Sequence, residues 1–225
     1  MQRISVLDHG YVELVESWGS DERIIEAARM STGKGFQGWE TDEKLLAFLY
    51  KNHHATPFEM AGLVIEVKAP IFVFREWHRH RTQSYNEMSA RYIPLPDENY
   101  VPSEERIRKG GRQAGNKQSD APELTRLTAM SFEAALRKVY SDAQVLYEES
   151  IKEGVPKELA RLVLPVGRYS RMRASANLRN WLAFLTLRMA PNAQWEIRQF
   201  AGAVAALIAE KFPRTYKLFE GEQQH

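Results

Sequence analysis

Between Arg79 and Arg91 the chain reads RHRTQSYNEMSAR, and the side chains of this stretch suit a phosphorylated, hydrogen-bonding ligand. Arg79, Arg81 and Arg91 offer planar donor pairs that match phosphate oxygens, and His80 adds an imidazole. The hydroxyls of Ser84 and Ser89, the amide of Asn86 and the carboxylate of Glu87 can serve ribose and base edges. A nucleoside monophosphate would use all of them. Two other chemistries compete. Arg79, His80 and Arg81 could form a nucleic-acid patch, since clustered guanidinium groups neutralise phosphates, but the aromatic interleaving of a single-strand platform is missing. Four of the six histidines, His53, His54, His78 and His80, fall near Glu59 and invite a metal-dependent hydrolase. Their spacing lacks the helical pairing of a zinc motif, and adjacent histidines on one element diverge, so no metal is expected.

A glycine pattern, GKGFQG at Gly33 to Gly38, matches the spacing of dinucleotide-binding turns. Those turns need a strand before them and a helix N-terminus after them. The residues before Gly33 carry a helical pattern instead, so a glycine-rich surface loop is expected here.

The elements that must position these groups follow from periodicity and punctuation. Ile4 and Val6 alternate as a short strand, and Ser20, Asp21 and Glu22 form a helix start ahead of Ile24, Ile25 and Ala28. Thr41, Asp42 and Glu43 predict a second helix start, with that helix running out near His53 and His54 before Pro57. Leu63, Ile65 and Val67 alternate with Val64, Glu66 and Lys68, the period of a strand with one mostly polar face. Pro70 suits the first turn of a helix through Trp77. Residues 97 to 123 turn polar and glycine-rich, which predicts a mobile excursion that could act as a lid. Leu124 to Glu153 is a long helical stretch ended by Gly154 and Pro156, and KELARLVL is a short helix stopped by Pro165. Gly167 to Ala176 alternates again. Asn177 and Asn192 read as caps of two further helices, the last being WEIRQFAGAVAALIAEKF, whose apolar character predicts a subunit contact. Strands and helices intermix without regular βαβ alternation, so the fold class is α+β, and no internal repeat marks a second domain across residues 1–225.

Composition narrows the field. A chain of 225 residues with 44% hydrophobic and 27% charged content has enough apolar surface for one sizeable core. The formal net charge is only +2 despite 31 Lys and Arg, so any anion site must be local and no nucleic-acid partner is expected. No apolar run approaches the roughly 20 residues that span a bilayer, and MQRISVLDHG lacks a signal-peptide core. No membrane partner and a cytoplasmic location are therefore expected. The chain contains no cysteine, which excludes disulfides, thiolate metal sites and every cysteine nucleophile of its own.

The stretch from Arg79 to Arg91 resembles the signature RHRxxSxNExSxR of flavin-dependent thymidylate synthases, with every signature position present. The similarity extends over nearly the whole chain, through ATPFE at Ala55 to Glu59, APIFVFREW before the signature, GVPKELARLVLP at Gly154 to Pro165, and NLRNWLAFLTLR at Asn177 to Arg188. The resemblance implies an α+β fold, mixed helices around a mainly antiparallel sheet, assembled as a homotetramer with active sites between subunits. It also implies FAD as cofactor, NADPH as hydride donor, 5,10-methylenetetrahydrofolate as co-substrate and dUMP as substrate, methylated to dTMP. Carried over by position, it places Thr56, Arg79, His80, Arg81, Glu87, Asn177, Leu178, Arg179 and Ala183 against FAD. Against dUMP it places Glu76, Trp77, His78 and Arg79, then Glu87, Met88, Ser89, Ala90 and Arg91, with Arg161 and Arg188 from the C-terminal half. Ser89 and its neighbouring amides are expected to face the phosphate, with Arg91 as charged anchor.

Three positions depart from that pattern. Glu76 stands where many relatives carry glutamine, and a carboxylate beside a nucleotide needs a cationic partner, for which Arg75 or Arg79 is expected. Ala183 replaces a flavin-contacting asparagine, and Asn192 a histidine common near the flavin ring. Methylating C5 of uracil usually requires a nucleophile at C6, and cysteine suits that role. With no cysteine, either Ser84 or Ser89 attacks, although neither has an orienting base nearby in sequence, or a cation favours negative charge on the uracil edge. Arg188 is the candidate catalytic cation. On the helix after Asn177 it continues the stripe of Trp181, Phe184 and Leu185, so it is expected to be at least partly buried. The resemblance further implies that the reduced flavin supplies hydride and takes part in passing the methylene group, while the protein positions ring, base and folate.

Overall fold

A computed structural model describes residues 2–109 and 123–223. Five strands form one sheet in the order β1-β2-β3-β5-β4, where β1 is Arg3–Val6, β2 Gly10–Trp18, β3 Gly62–Pro70, β4 Ser84–Glu87 and β5 Tyr169–Asn177. Every pairing is antiparallel. The helices are α1 (Asp21–Arg29), α2 (Trp39–Lys51), α3 (Ala55–Phe58), α4 (Ile71–Trp77), α5 (Glu104–Lys109), α6 (Arg126–Lys152), α7 (Lys157–Ala160), α8 (Leu178–Arg188), α9 (Trp195–Lys211) and α10 (Pro213–Gln223). The α+β class and the antiparallel sheet agree with the sequence reading. No helix among the described residues is long and apolar enough to cross a membrane.

Alternation along the strands decides which sheet face is covered. Leu63, Ile65, Val67 and Ala69 of β3 and Met172, Ala174 and Ala176 of β5 are buried on one face, because successive side chains point to opposite sides. Helices α4, α8 and α9 pack there. On the other face Glu66 accepts from Tyr11 Oη at 2.7 Å and lies 3.6 Å from Arg173, a polar surface as the sequence pattern predicts.

Several expectations need correction. The α2 helix begins at Trp39, because Gly38 turns the chain with φ 94°. Asp42 lies in the first turn, as read from sequence, and is also a tether: its buried carboxylate accepts from the Gln37 amide at 2.6 Å and from Arg29 Nε at 3.0 Å. That tether also holds down the glycine-rich surface loop, which has no strand before it. Pro70 ends β3 and caps α4 from outside instead of lying in its first turn. At α9 the cap position is Gln194 and not Asn192, and it makes no side-chain capping bond. A further helix, α10, follows the one read as last. Asp21 holds α10 by accepting from the Arg214 amide at 2.8 Å, the Thr215 amide at 3.2 Å and the Thr215 hydroxyl at 2.6 Å.

The apolar α9 is a core helix of the protomer. Ile197, Phe200, Ala201, Val204, Leu207 and Ile208 are all fully buried, each large side chain contributing about 1.5–3 kcal/mol by leaving water. Its hydrophobicity is therefore used within the chain. Exposed apolar side chains lie instead along α6, at Leu127, Met130, Phe132, Val139, Val145 and Leu146. Nor are residues 97–109 a free excursion. Asn99 bridges to Arg168, Tyr100 is buried and donates to Glu196 at 3.1 Å, and Arg106 Nε donates to the same carboxylate at 2.8 Å. Burial alone would raise Glu196, yet Arg106 and Gln194 hold it below the ordinary carboxylate range. Residues 110–122 of that stretch lie outside the described residues.

Candidate active site

Helix α4 runs directly from β3 and ends at Trp77, and the chain then loops through residues 78–83 into β4. Two contacts shape that loop. Trp77 is fully buried, and its Nε1 donates to Gln83 Oε1 at 3.0 Å. The Tyr85 hydroxyl lies 2.7 Å from the His80 carbonyl and 3.1 Å from the Trp77 carbonyl, donating across both. With the loop held from inside, Arg79 and Arg81 point outward and are exposed. Their guanidinium groups have no hydrogen bond or ion pair among the described residues.

His80 turns inward. Its ring packs edge-on to Phe184 of α8 at 4.9 Å, and its Nε2 accepts from Arg188 Nε at 2.8 Å. Burial first, then the Arg188 charge, lowers its pKa to about 4, so the imidazole is neutral near pH 7. Because Nε2 is the acceptor, the network assigns the proton to Nδ1. Arg188 also donates from Nη2 to the Glu76 carbonyl at 2.8 Å and from Nη1 to the Glu76 carboxylate at 3.2 Å. The cationic partner of Glu76 is therefore Arg188, not Arg75 or Arg79, because α8 packs on the end of α4 there, Phe184 against Trp77 at 4.5 Å. Burial raises the Glu76 pKa, Arg188 opposes that rise, and Glu196 adds to it. As expected from the helix stripe, the Arg188 side chain is largely buried, with 18% exposure. Three of its five N–H groups are engaged.

Apart from Glu87, which ends β4 opposite Met172, the residues expected near the flavin fall around the start of α8. The Asn177 side chain caps that helix by accepting from the Asn180 amide at 3.0 Å. Arg179 reaches Glu59, beside α3, at 2.5 Å, which brings the exposed Thr56 of α3 into the same neighbourhood. Asn180 Nδ2 donates to the Thr82 carbonyl at 3.4 Å, linking α8 to the loop that carries Arg79, His80 and Arg81. Ala183 is exposed one turn after Arg179, whereas Leu178 is fully buried and its amide donates to the Ala61 carbonyl at 2.7 Å. Two outward guanidinium groups without carboxylate partners form a donor set that fits a pyrophosphate. The residues present thus fit FAD.

A cavity of about 530 Å³ lies at the β4–β5 edge, lined by Glu87, Met88, Ser89, Ala90 and Arg161 among others. Those five come from the set expected around dUMP. Arg75, Ile71 and Ser170 also line the cavity, beside the apolar Leu95, Leu162, Leu164 and Val166, and were not found from sequence. The signals for them were faint: Arg75 precedes Glu76 on α4, and Ser170 sits on the buried phase of β5. The segment after β4 is tied to α7, which leads into Arg161, by Lys157 Nζ donating to the Tyr92 carbonyl at 2.8 Å and by Arg91 3.7 Å from Glu158. Arg91 is exposed and leans on this acidic partner. Ser89 Oγ accepts from the Arg91 amide at 3.3 Å. Trp77 presents no side-chain surface here, and His78 Nε2 lies 3.1 Å from Met172 Sδ. Arg188 and Glu76 are not among the cavity-lining residues. Among the described residues no group of three or more His, Asp or Glu side chains could hold a metal ion.

Residues 13–214 match the family model described as thymidylate synthase complementing protein. A flavin-dependent thymidylate synthase of Thermus thermophilus is 43% identical over 96% of this chain and 78% of its own. One from Thermotoga neapolitana is 39% identical over 96% and 94%. Among solved structures, the UMP/dUMP methylase PolB of Streptomyces cacaoi bound with 5-Br dUMP superposes with a TM-score of 0.86 at 32% identity, covering 97% of both chains. The same methylase bound with 5-Br UMP gives 0.84 at 32% identity.

Proposed function

From its membership in the family of flavin-dependent thymidylate synthases, we propose that the chain methylates dUMP to dTMP reductively, with FAD as cofactor, NADPH as hydride donor and 5,10-methylenetetrahydrofolate as one-carbon donor. One observation carries this reading: the run Glu87 to Ala90 and the sequence-distant Arg161 converge on one cavity of a size suited to a small ligand. The solved methylase with 5-Br dUMP supports a pyrimidine nucleotide as occupant.

When bound and reduced by NADPH, FAD would supply the hydride that reduces the transferred carbon to a methyl group. The chain's own residues do the rest. Arg79, His80 and Arg81 would hold the cofactor with Thr56, Glu87, Asn177, Leu178, Arg179 and Ala183, the buried Leu178 through its main chain. Met88, Ser89, Ala90 and Arg161 would hold dUMP in the cavity with Glu87, while Glu76, His78, Arg79, Arg91 and Arg188, outside its lining, and Trp77, through its main chain alone, would serve the rest of the nucleotide. The chain has no cysteine, and neither Ser84 nor Ser89 is hydrogen-bonded to a basic side chain among the described residues. Activation of the pyrimidine therefore falls in this reading to Arg188, whose two remaining N–H groups favour negative charge on the uracil edge in a water-poor site. The Glu76 carboxylate partly offsets that charge. His80 keeps the guanidinium plane in place.

The active sites lie between subunits of a homotetramer in this reading, and the exposed apolar residues of α6 supply surface for such an assembly. The test is an absorbance spectrum of purified protein followed by NADPH oxidation and dTMP formation with and without dUMP. UMP is run in parallel because the solved methylase was also bound with 5-Br UMP. A yellow protein forming dTMP is expected; a colourless, metal-containing protein without that activity would overturn the proposal.

A further inference from the structure

Ser170 is buried to 2% exposure and its hydroxyl has no hydrogen-bond partner. A buried hydroxyl without a partner is destabilising, so its place calls for an explanation. It lines the cavity of about 530 Å³, on the helix-facing side of the sheet, across from Ala69 of β3. Glu87 pairs with Met172, and the Met88 amide donates to the Arg171 carbonyl at 2.8 Å. Ser89 lies two residues beyond the end of β4 and lines the same cavity as Ser170. Two serines, one from β5 and one from the segment that follows β4, thus line one cavity.

The remaining polar wall has a defined charge. Arg75 from α4 and Arg161 after α7 both line the cavity, and neither guanidinium has a hydrogen bond or ion pair among the described residues. Glu87 is the one acid lining the cavity. Two unneutralised cations and an orphaned buried hydroxyl suit an anion with several acceptor oxygens. A phosphoryl group is such an anion, and Glu87 is left for donors elsewhere on the same ligand.

We propose that Ser170 and Arg75 are phosphate-binding residues of the nucleotide pocket, acting beside Ser89 and Arg161. The assignment rests on the nucleotide-methylating reading above and adds two residues that the family resemblance does not supply. Ser170 Oγ donates to a phosphoryl oxygen, and Arg75 offers its planar fork from the opposite wall.

The experiment is calorimetric titration of the flavin-loaded protein with dUMP and, separately, with inorganic phosphate, for wild type, Ser170→Ala and Arg75→Gln. Each substitution is expected to weaken both ligands by about tenfold, the size of one hydrogen bond to a charged group. Ser170→Ala should keep or raise the melting temperature without ligand, since it removes only an unpaired hydroxyl, and Arg75 is exposed, so misfolding does not explain a loss. Unchanged dUMP affinity in both variants would overturn the assignment and leave the proposed function standing. Weakened dUMP with untouched phosphate binding, or no phosphate binding by wild type, would overturn the phosphate contact. A wild-type protein that binds no dUMP would instead strike the proposed function, and this assignment with it.

Discussion

Arg188 Nε donates to His80 Nε2 across 2.8 Å, joining residues that lie 108 positions apart. The contact requires a neutral imidazole, because a doubly protonated ring would turn an N–H toward the guanidinium.

A pH dependence follows from that contact. The folded His80 pKa of about 4 is depressed from 6.5, so the unfolded chain binds the extra proton between those values. The contribution to stability is fully present above pH 6.5 and is lost as pH falls through about 4. Allowing for partial exposure, the loss is expected to be about 2 kcal/mol. Urea unfolding at pH 7 and pH 4.5 checks it: wild type should lose more stability than His80→Asn between the two, and equal losses would refute the linkage.

Arg188→Lys is expected to keep FAD content and oligomer mass while losing most single-turnover dTMP formation. Lysine preserves charge but cannot serve His80 and both Glu76 oxygens from one plane. Near wild-type turnover in both Arg188→Lys and Arg188→Ala would eliminate Arg188 as the activating cation.

Glu76→Gln removes the counter-charge while the Arg188 bond to the main-chain carbonyl at residue 76 remains. The uracil edge then faces a less compensated cation, and single-turnover dTMP formation should hold or rise, by up to about threefold. A fall of tenfold or more would mean that the carboxylate has a direct role.

Arg79→Ala and Arg81→Ala should each lower FAD occupancy by about tenfold in Kd, with little change in melting temperature of the flavin-free protein, because neither guanidinium is engaged within the chain. Flavin absorbance after dialysis measures occupancy. Unchanged flavin retention in both variants would sink the assignment.

Asp21→Ala should destabilise the fold by about 2–3 kcal/mol. The buried carboxylate accepts three hydrogen bonds from Arg214 and Thr215, and removing it leaves the start of α10 without acceptors. Denaturant unfolding at neutral pH is the check; a change below 0.5 kcal/mol would show that water replaces the cap.

Features that depend on near neighbours were legible in the sequence. The Asn177 cap, the alternation of β3 and β5, and the Ser20 start of α1 involve residues within a few positions of one another, where backbone geometry decides the outcome. The polar stretch from Arg79 to Arg91 could likewise be read as binding equipment. What tertiary structure alone decided was partnership across the chain. Helical periodicity announced that α9 would bury a face, but burial within the protomer and burial against another subunit leave the same apolar pattern. Glu76 needed a cation, and several were near in sequence, yet the packing of α8 on the end of α4 brought Arg188, 112 positions away. Ser170 looked like one more small residue on the buried phase of a strand. Its unpaired hydroxyl became visible only when β5 met β4 and α4, because whether a buried polar group is satisfied is a property of all the elements around it.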